Sequence, residues 1–171
     1  DETLAFLTNR PDDNLRFTIL SGNGQVDFHI TALAATRAES RRCLAAARQR
    51  ALEAVGEHLF GQDDATLESS LGDALLKRGW TLAVAESCTG GGVGHRLTRT
   101  PGSSRYFLGG VIAYDNALKV KLLGVAPQTL AAHGAVSSPC AREMAAGVRR
   151  ATGARLGLSV TGVAGPGGGA L

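Results

Sequence analysis

An α/β layered domain with a largely parallel sheet, preceded by a small α+β module, is predicted by three observations. From residue 63 onward, short apolar runs alternate with amphipathic stretches of helical period, the pattern of strand and helix layers sharing one core. The first 62 residues instead carry two runs of alternating polarity followed by one long helical pattern. Three of the loops that follow apolar runs, after Ala85, Tyr114 and Val160, are rich in glycine or polar residues. In parallel sheets such loops gather at one edge, where ligands bind.

Taken in order, Leu15 to Leu20 and Val26 to Thr31 alternate in polarity around Ser21-Gly22-Asn23-Gly24-Gln25, and so predict a hairpin. Thr36-Arg37-Ala38-Glu39 has capping-box spacing, and Leu44, Ala47, Ala51, Val55 and Leu59 recur at helical intervals behind it. The basic residues Arg41, Arg42, Arg48 and Arg50 fit a solvated helix face better than an RNA surface. Gly61-Gln62-Asp63-Asp64 breaks the pattern, placing a boundary between residues 1 to 62 and 63 to 171.

In the second part, Leu67, Leu71, Ala74 and Leu75 predict an amphipathic helix ending at Lys77-Arg78-Gly79. Thr81 to Ala85 predicts a buried strand, and Val93 with Leu97 a helix after it. Pro101-Gly102-Ser103-Ser104 is a loop before a strand from Tyr106 to Tyr114. Asn116 caps a short helix through Leu123, Pro127 starts another through Ala132, and Ser138 with Pro139 opens a third that stops at Gly153. Leu156 to Val160 is the last strand. A sheet of three strands would leave a bare edge, so the domain is expected to be incomplete at its end.

Composition narrows the function. With 171 residues, 44% hydrophobic, the chain has material for a core. A net charge of +3 without a long basic run gives no support for nucleic-acid binding but admits an anionic small substrate. Three cysteines at wide spacing and four histidines without ligand spacing argue against a disulfide framework or a metal site, and no cofactor is implied. No signal peptide or run of membrane-spanning length is visible, so a cytoplasmic protein with no membrane partner is expected.

The chemistry concentrates in Ala85-Glu86-Ser87-Cys88-Thr89-Gly90-Gly91-Gly92. Strand, polar turn and helix start aim backbone N–H groups at an anion, and a hydroxyl or thiol there is a candidate nucleophile. Read by itself, the turn is also a plain helix entry with Ser87 or Thr89 as its cap. Cys88 competes with Ser87, although neighbouring residues generally point in different directions, so one of the two should be packed. Gly90 and Gly94, four apart, also suit close approach of helix to sheet. The glycines lack the spacing of a dinucleotide fingerprint or a Walker loop.

Six ordered stretches add a resemblance. Ala85 to Gly91, Pro101 to Ser104, Gly110 to Lys119, Leu123-Gly124-Val125, His133 to Ser137 and Thr161 to Gly168 closely resemble the CinA carboxyl-terminal domain family. The front of the chain resembles the tail of the small KH-like module that joins this domain to an upstream molybdopterin-binding-like domain in longer members. The resemblance implies deamidation of nicotinamide mononucleotide to nicotinate mononucleotide with release of ammonia, by a protein expected to form a homo-oligomer. The alternative is a non-catalytic interaction module linked to competence or the response to DNA damage.

A carboxamide is a poor electrophile, so hydrolysis without a metal needs an activated nucleophile, a proton donor for the amine and donors for the oxyanion. Ser87 is assigned as nucleophile and Lys119, matching the family's lysine, as its base. The positive end of its helix would disfavour a cation at Lys119, and burial would act in the same direction, although the residue taken alone also reads as a solvated lysine. Tyr114 is a candidate to relay the proton or hold the amide. Thr89, Gly90 and Gly91 are assigned to the substrate phosphate, assisted by Ser103 and Ser104. Asn116, Thr161, Gly162 and Gly165 complete the expected binding set. Two departures stand out: Gly92 replaces a bulky apolar residue, costing its helix about 1 kcal/mol relative to Ala, and Asp115 replaces a serine beside the expected site.

Overall fold

The computed structural model describes residues 14–22 and 24–165, and the chain divides into two compact units, Asp1–Gln62 and Asp63–Leu171. In the first unit, strands β1 (Leu15–Gly22) and β2 (Gln25–Ala32) pair antiparallel, with Leu15 opposite Ala32 and Gly22 opposite Gln25. That register leaves a two-residue turn, tighter than the five-residue loop expected, with Gly24 in the left-handed region that such turns require. Phe17 and Phe28 stack at 5.6 Å across the hairpin. Helix α1 (Arg37–Val55) packs along β2, and the Thr36 hydroxyl accepts the Glu39 N–H at its start. Its buried residues are Ala47 and Ala51, small enough for close approach to the hairpin. Leu59 lies outside this helix, contrary to its period: the backbone turns at Gly56 (φ 52°) into a short 3₁₀ turn, Gly56–His58. Arg41, Arg42, Arg48 and Arg50 are all exposed.

The second unit is built on a three-stranded parallel sheet in the order β4-β3-β5, with β3 (Leu82–Glu86) central, β4 (Phe107–Ile112) and β5 (Leu156–Val160) beside it. All five β3 residues are buried, which explains why this strand reads as a continuous apolar run until its last position. Alternation along β3 divides the core in two. Ala83 and Ala85 face Leu123, Cys140, Met144 and Val148, whereas Leu82 and Val84 face Leu75, Leu97 and Tyr106.

The first face is covered by α4 (Asn116–Leu123) and α6 (Ser138–Thr152), the second by α2 (Leu67–Arg78) and α3 (Gly92–Thr98). A short α5 (Pro127–His133) runs between α4 and α6. The domain is thus an α/β/α sandwich. Helix α2 begins on a reciprocal Thr66/Ser69 capping box and stops at left-handed Gly79, as its sequence indicates. The third strand-helix junction differs from expectation: Asp115, not Asn116, caps α4, its carboxylate accepting the Ala117 N–H at 2.7 Å. Asn116 is the first helical residue. Strand β4 is shorter than the apolar run, because Tyr106 is buried before the strand and Tyr114 follows it.

Candidate active site

Three chain segments meet at the carboxyl edge of the sheet. Ser87 directly follows β3, and its N–H donates to the Val160 carbonyl (2.9 Å), the last residue of β5. On the other side, the Ala113 N–H donates to the Glu86 carbonyl (2.8 Å), so the loop leading from β4 into α4 starts beside the same turn. A parallel sheet makes this convergence unavoidable once the strands are in register.

Alternation then separates Ser87 from its neighbours. Glu86 shares a face with Val84, toward α3; Ser87 extends the ladder by one residue through Val160, and the alternation puts it on the α4 and α6 side. Ser87 is 7% exposed. Cys88 is half-buried, and a side-chain carbon added at Gly162 would stand 3.3 Å from its Sγ, so the thiol is packed against the loop after β5.

Lys119 lies one turn into α4, on the same side as Ser87, and is 1% exposed. Its Nζ donates to the Tyr114 carbonyl at 2.8 Å. Among the described residues no carboxylate forms an ion pair with it. Cys140 is the buried thiol of α6. Burial pushes that thiol above its ordinary value, opposed by the charge of Lys119. No hydrogen bond links Lys119 to Ser87 among the described residues.

The turn itself is occupied by a group that strand and helix periodicity do not single out. Glu86 is 2% exposed, and its carboxylate reaches back under the turn to accept the N–H groups of Gly91 (3.1 Å), Val93 (3.0 Å) and Gly94 (2.8 Å). Burial pushes this carboxyl up, but the Thr89 hydroxyl and the three N–H donors outweigh it and hold it below the usual glutamate range. The backbone can fold over a carboxylate because Gly90 (φ 59°) and Gly91 (φ 103°) are left-handed. Gly94 supplies the close approach, since a side chain there would stand 3.4 Å from the Glu86 Oε1. The N–H groups of Gly90 and Gly92 donate to the carbonyls of Ser87 and Thr89.

These contacts bear on the assignment of Thr89, Gly90 and Gly91 to the substrate phosphate, because two of the three backbone N–H groups are engaged within the chain. The Gly91 N–H is already held by Glu86 and the Gly90 N–H by the Ser87 carbonyl. A carboxylate closing an otherwise apolar strand just before a glycine-rich turn was the available signal, because such a group must find buried donors.

The other expected residues divide. Thr161 and Gly162 do lie at the carboxyl edge, after β5, although the Thr161 hydroxyl donates to the Ala135 carbonyl (2.8 Å). Gly165 is exposed and is the last described residue. Tyr114 is at the edge, but its side chain is 73% exposed and its carbonyl is what anchors Lys119. Asn116 is exposed at the start of α4.

Ser103 and Ser104 are not brought to the site. They belong to a 3₁₀ turn, Ser103–Arg105, that precedes β4, and Leu82 at the start of β3 donates to the Tyr106 carbonyl. The four residue steps from Leu82 to Glu86 put roughly 13 Å of strand between them and Ser87. Their proximity in sequence to β4 placed them at its amino end, the opposite edge of the sheet.

Among the described residues no three or more His, Cys, Asp or Glu side chains cluster as a metal site would need, and no helix is long and apolar enough to cross a membrane.

Comparison with known proteins agrees with this architecture. The CinA C-terminal domain model matches residues 64–171. A Moorella thermoacetica protein, named provisionally as competence-damage inducible, is 50% identical over 157 residues, 92% of this chain and 38% of that protein. A CinA-like protein of Synechococcus sp. is 49% identical over 149 residues, 87% of this chain and 35% of that protein. This chain therefore spans little more than a third of the length of these relatives. Among solved structures, the competence/damage inducible protein CihA of Agrobacterium tumefaciens superposes with a TM-score of 0.60 at 39% identity, over 66% of this chain and 68% of that one.

Proposed function

This chain belongs to the CinA family, and on that premise we propose that it hydrolyses the carboxamide of nicotinamide mononucleotide, giving nicotinate mononucleotide and ammonia. The observation that carries the reading is a buried serine just after β3 and a buried lysine without a carboxylate partner in the first turn of the helix that follows β4. A lysine kept from water and unpaired is the kind from which general bases are made.

In the proposed reaction, neutral Lys119 keeps one N–H on the Tyr114 carbonyl, which leaves its lone pair for the Ser87 proton. The Ser87 Oγ bonds to the carboxamide carbon as that proton moves to Nζ. The tetrahedral adduct then collapses, its C–N bond breaks, and Lys119 returns the proton to the departing amine as ammonia. Water attacks the resulting ester, again giving a proton to Lys119, and the carboxylate leaves as Ser87 regains its hydrogen. The phosphate is bound outside the Glu86-filled turn. A cytoplasmic setting, self-association and, in longer members, an upstream molybdopterin-binding-like domain belong to the same reading.

Incubating the protein with nicotinamide mononucleotide and assaying ammonia tests it. Ser87→Ala should lose nearly all release, while Cys88→Ala, which removes a packed thiol, should keep much of it. No release by the unaltered protein above a no-enzyme control would favour the non-catalytic module.

A further inference from the structure

The turn that carries Ser87 is organised around an anion that the chain itself provides. Three backbone donors converge on the Glu86 carboxylate, the N–H groups of Gly91, Val93 and Gly94, and the hydroxyl of Thr89 also favours its charged form. Ser87 is bonded directly to this residue, with its own N–H tied to Val160 and its carbonyl to Gly90. The path from Ser87 to Gly91 is thus closed as a ring. One end is covalent, and the other is the hydrogen bond from Gly91 back to Glu86.

The two left-handed glycines make this ring possible and also make it soft, because glycine has no intrinsic preference for the angles it adopts here. Something must hold it, and hydrogen bonds to a charged acceptor are about twice as strong as neutral ones. An amide of the same shape cannot replace the carboxylate. Its NH₂ would face an N–H donor, so at least one of the donors now satisfied by Oε1 or Oε2 would be left buried and unpaired.

We propose that Glu86 is a positioning residue for the nucleophile, its carboxylate locking the Ser87 to Gly91 turn so that the Ser87 hydroxyl is presented toward the Lys119 side of the sheet. This inference rests on the assignment of Ser87 as nucleophile but not on the identity of the substrate. Glu86 lies on the opposite face from Ser87 and does not touch the reacting atoms; it acts through the backbone.

The test uses the whole chain and two readouts. One is the steady-state hydrolysis of nicotinamide mononucleotide. The other is the rate of Ser87 labelling by a small alkyl fluorophosphonate, followed by mass spectrometry: the Ser87 Oγ–P bond forms, fluoride leaves and the hydroxyl proton passes to a base. For Glu86→Gln we expect kcat and the labelling rate to fall together, by about a hundredfold for an ångström-scale displacement, with KM changed less than about threefold.

Thr89→Val removes one donor from an exposed position and serves if Glu86→Gln does not fold. It should lower kcat and labelling in parallel, by a smaller factor and at unchanged KM. If Thr89 instead held the substrate, KM would rise while labelling stayed the same, and the proposal would be overturned. It is equally overturned if folded Glu86→Gln labels and turns over within about twofold of the unaltered protein, or if the unaltered protein does not label at Ser87. A protein that labels at Ser87 yet releases no ammonia sinks the amidase reading alone, and Glu86 is then judged by the labelling rates.

Discussion

At Lys119 two demands on one side chain can be separated by substitution. The four-carbon stem fills a buried position, while the nitrogen sits on the Tyr114 carbonyl. Lys119→Met keeps the stem and removes the nitrogen; Lys119→Arg keeps a charge that does not ionise away. Both should lower kcat by about 10² to 10⁴, the usual worth of a general base, and leave KM nearly unchanged. A near-normal rate in Lys119→Arg would mean that the lysine is an electrostatic anchor. Stability should move differently, because methionine keeps the buried stem in place and removes a polar nitrogen that is costly to hold out of water. Lys119→Met should therefore melt no lower than the unaltered protein.

Between elements, the crossing of α4 and α6 depends on Gly147. A side-chain carbon there would lie 1.9 Å from the Leu123 carbonyl oxygen, far inside contact distance, so the helices would have to part. Ala gains about 1 kcal/mol over Gly as a helix residue, but displacing backbone in a packed interface costs typically 1–3 kcal/mol or more. The second effect should win. Gly147→Ala is expected to lower the thermal midpoint by several degrees and, because α4 carries Lys119 one turn before Leu123, to reduce turnover as well. A midpoint at or above that of the unaltered protein would show that the helix contact is looser than this.

Over the whole molecule, acid stability should follow buried and bridged glutamates. Burial raises the Glu86 carboxyl, but its donors more than offset this. The Thr129 hydroxyl and the Ala126 N–H hold Glu143 low, against burial and with help from His133. Both folded-state values lie below the ordinary range, so the unfolded chain binds protons first as pH falls. The stability these groups contribute is fully present above the ordinary glutamate range and is lost as pH drops through their folded-state values. Thermal midpoints measured from pH 7 downward should change little until about pH 5 and then decline. Glu86→Gln should start lower and decline less steeply. An identical acid slope in that variant would remove Glu86 from this account.

Local order was legible in the sequence, because helix period, strand alternation and caps are properties of neighbouring residues. The hairpin, the helix from Leu67 to Gly79 and the strand-turn-helix around Ser87 all follow from spacing alone. So did the edge on which Ser87, Lys119 and Thr161 gather, since parallel strands send their loops to one end. Where two cap-forming residues stood together, at Asp115 and Asn116, spacing did not choose between them; the backbone did, by entering the helix one residue later than Asp115. Whether Ser103 and Ser104 reach that edge depended on strand direction, and the fold sends them to the other. The occupant of the helix start was likewise a tertiary decision. A ligand and Glu86 compete for the same N–H groups, and the competition turns on whether the backbone at Gly90 and Gly91 folds back far enough for the carboxylate to arrive first.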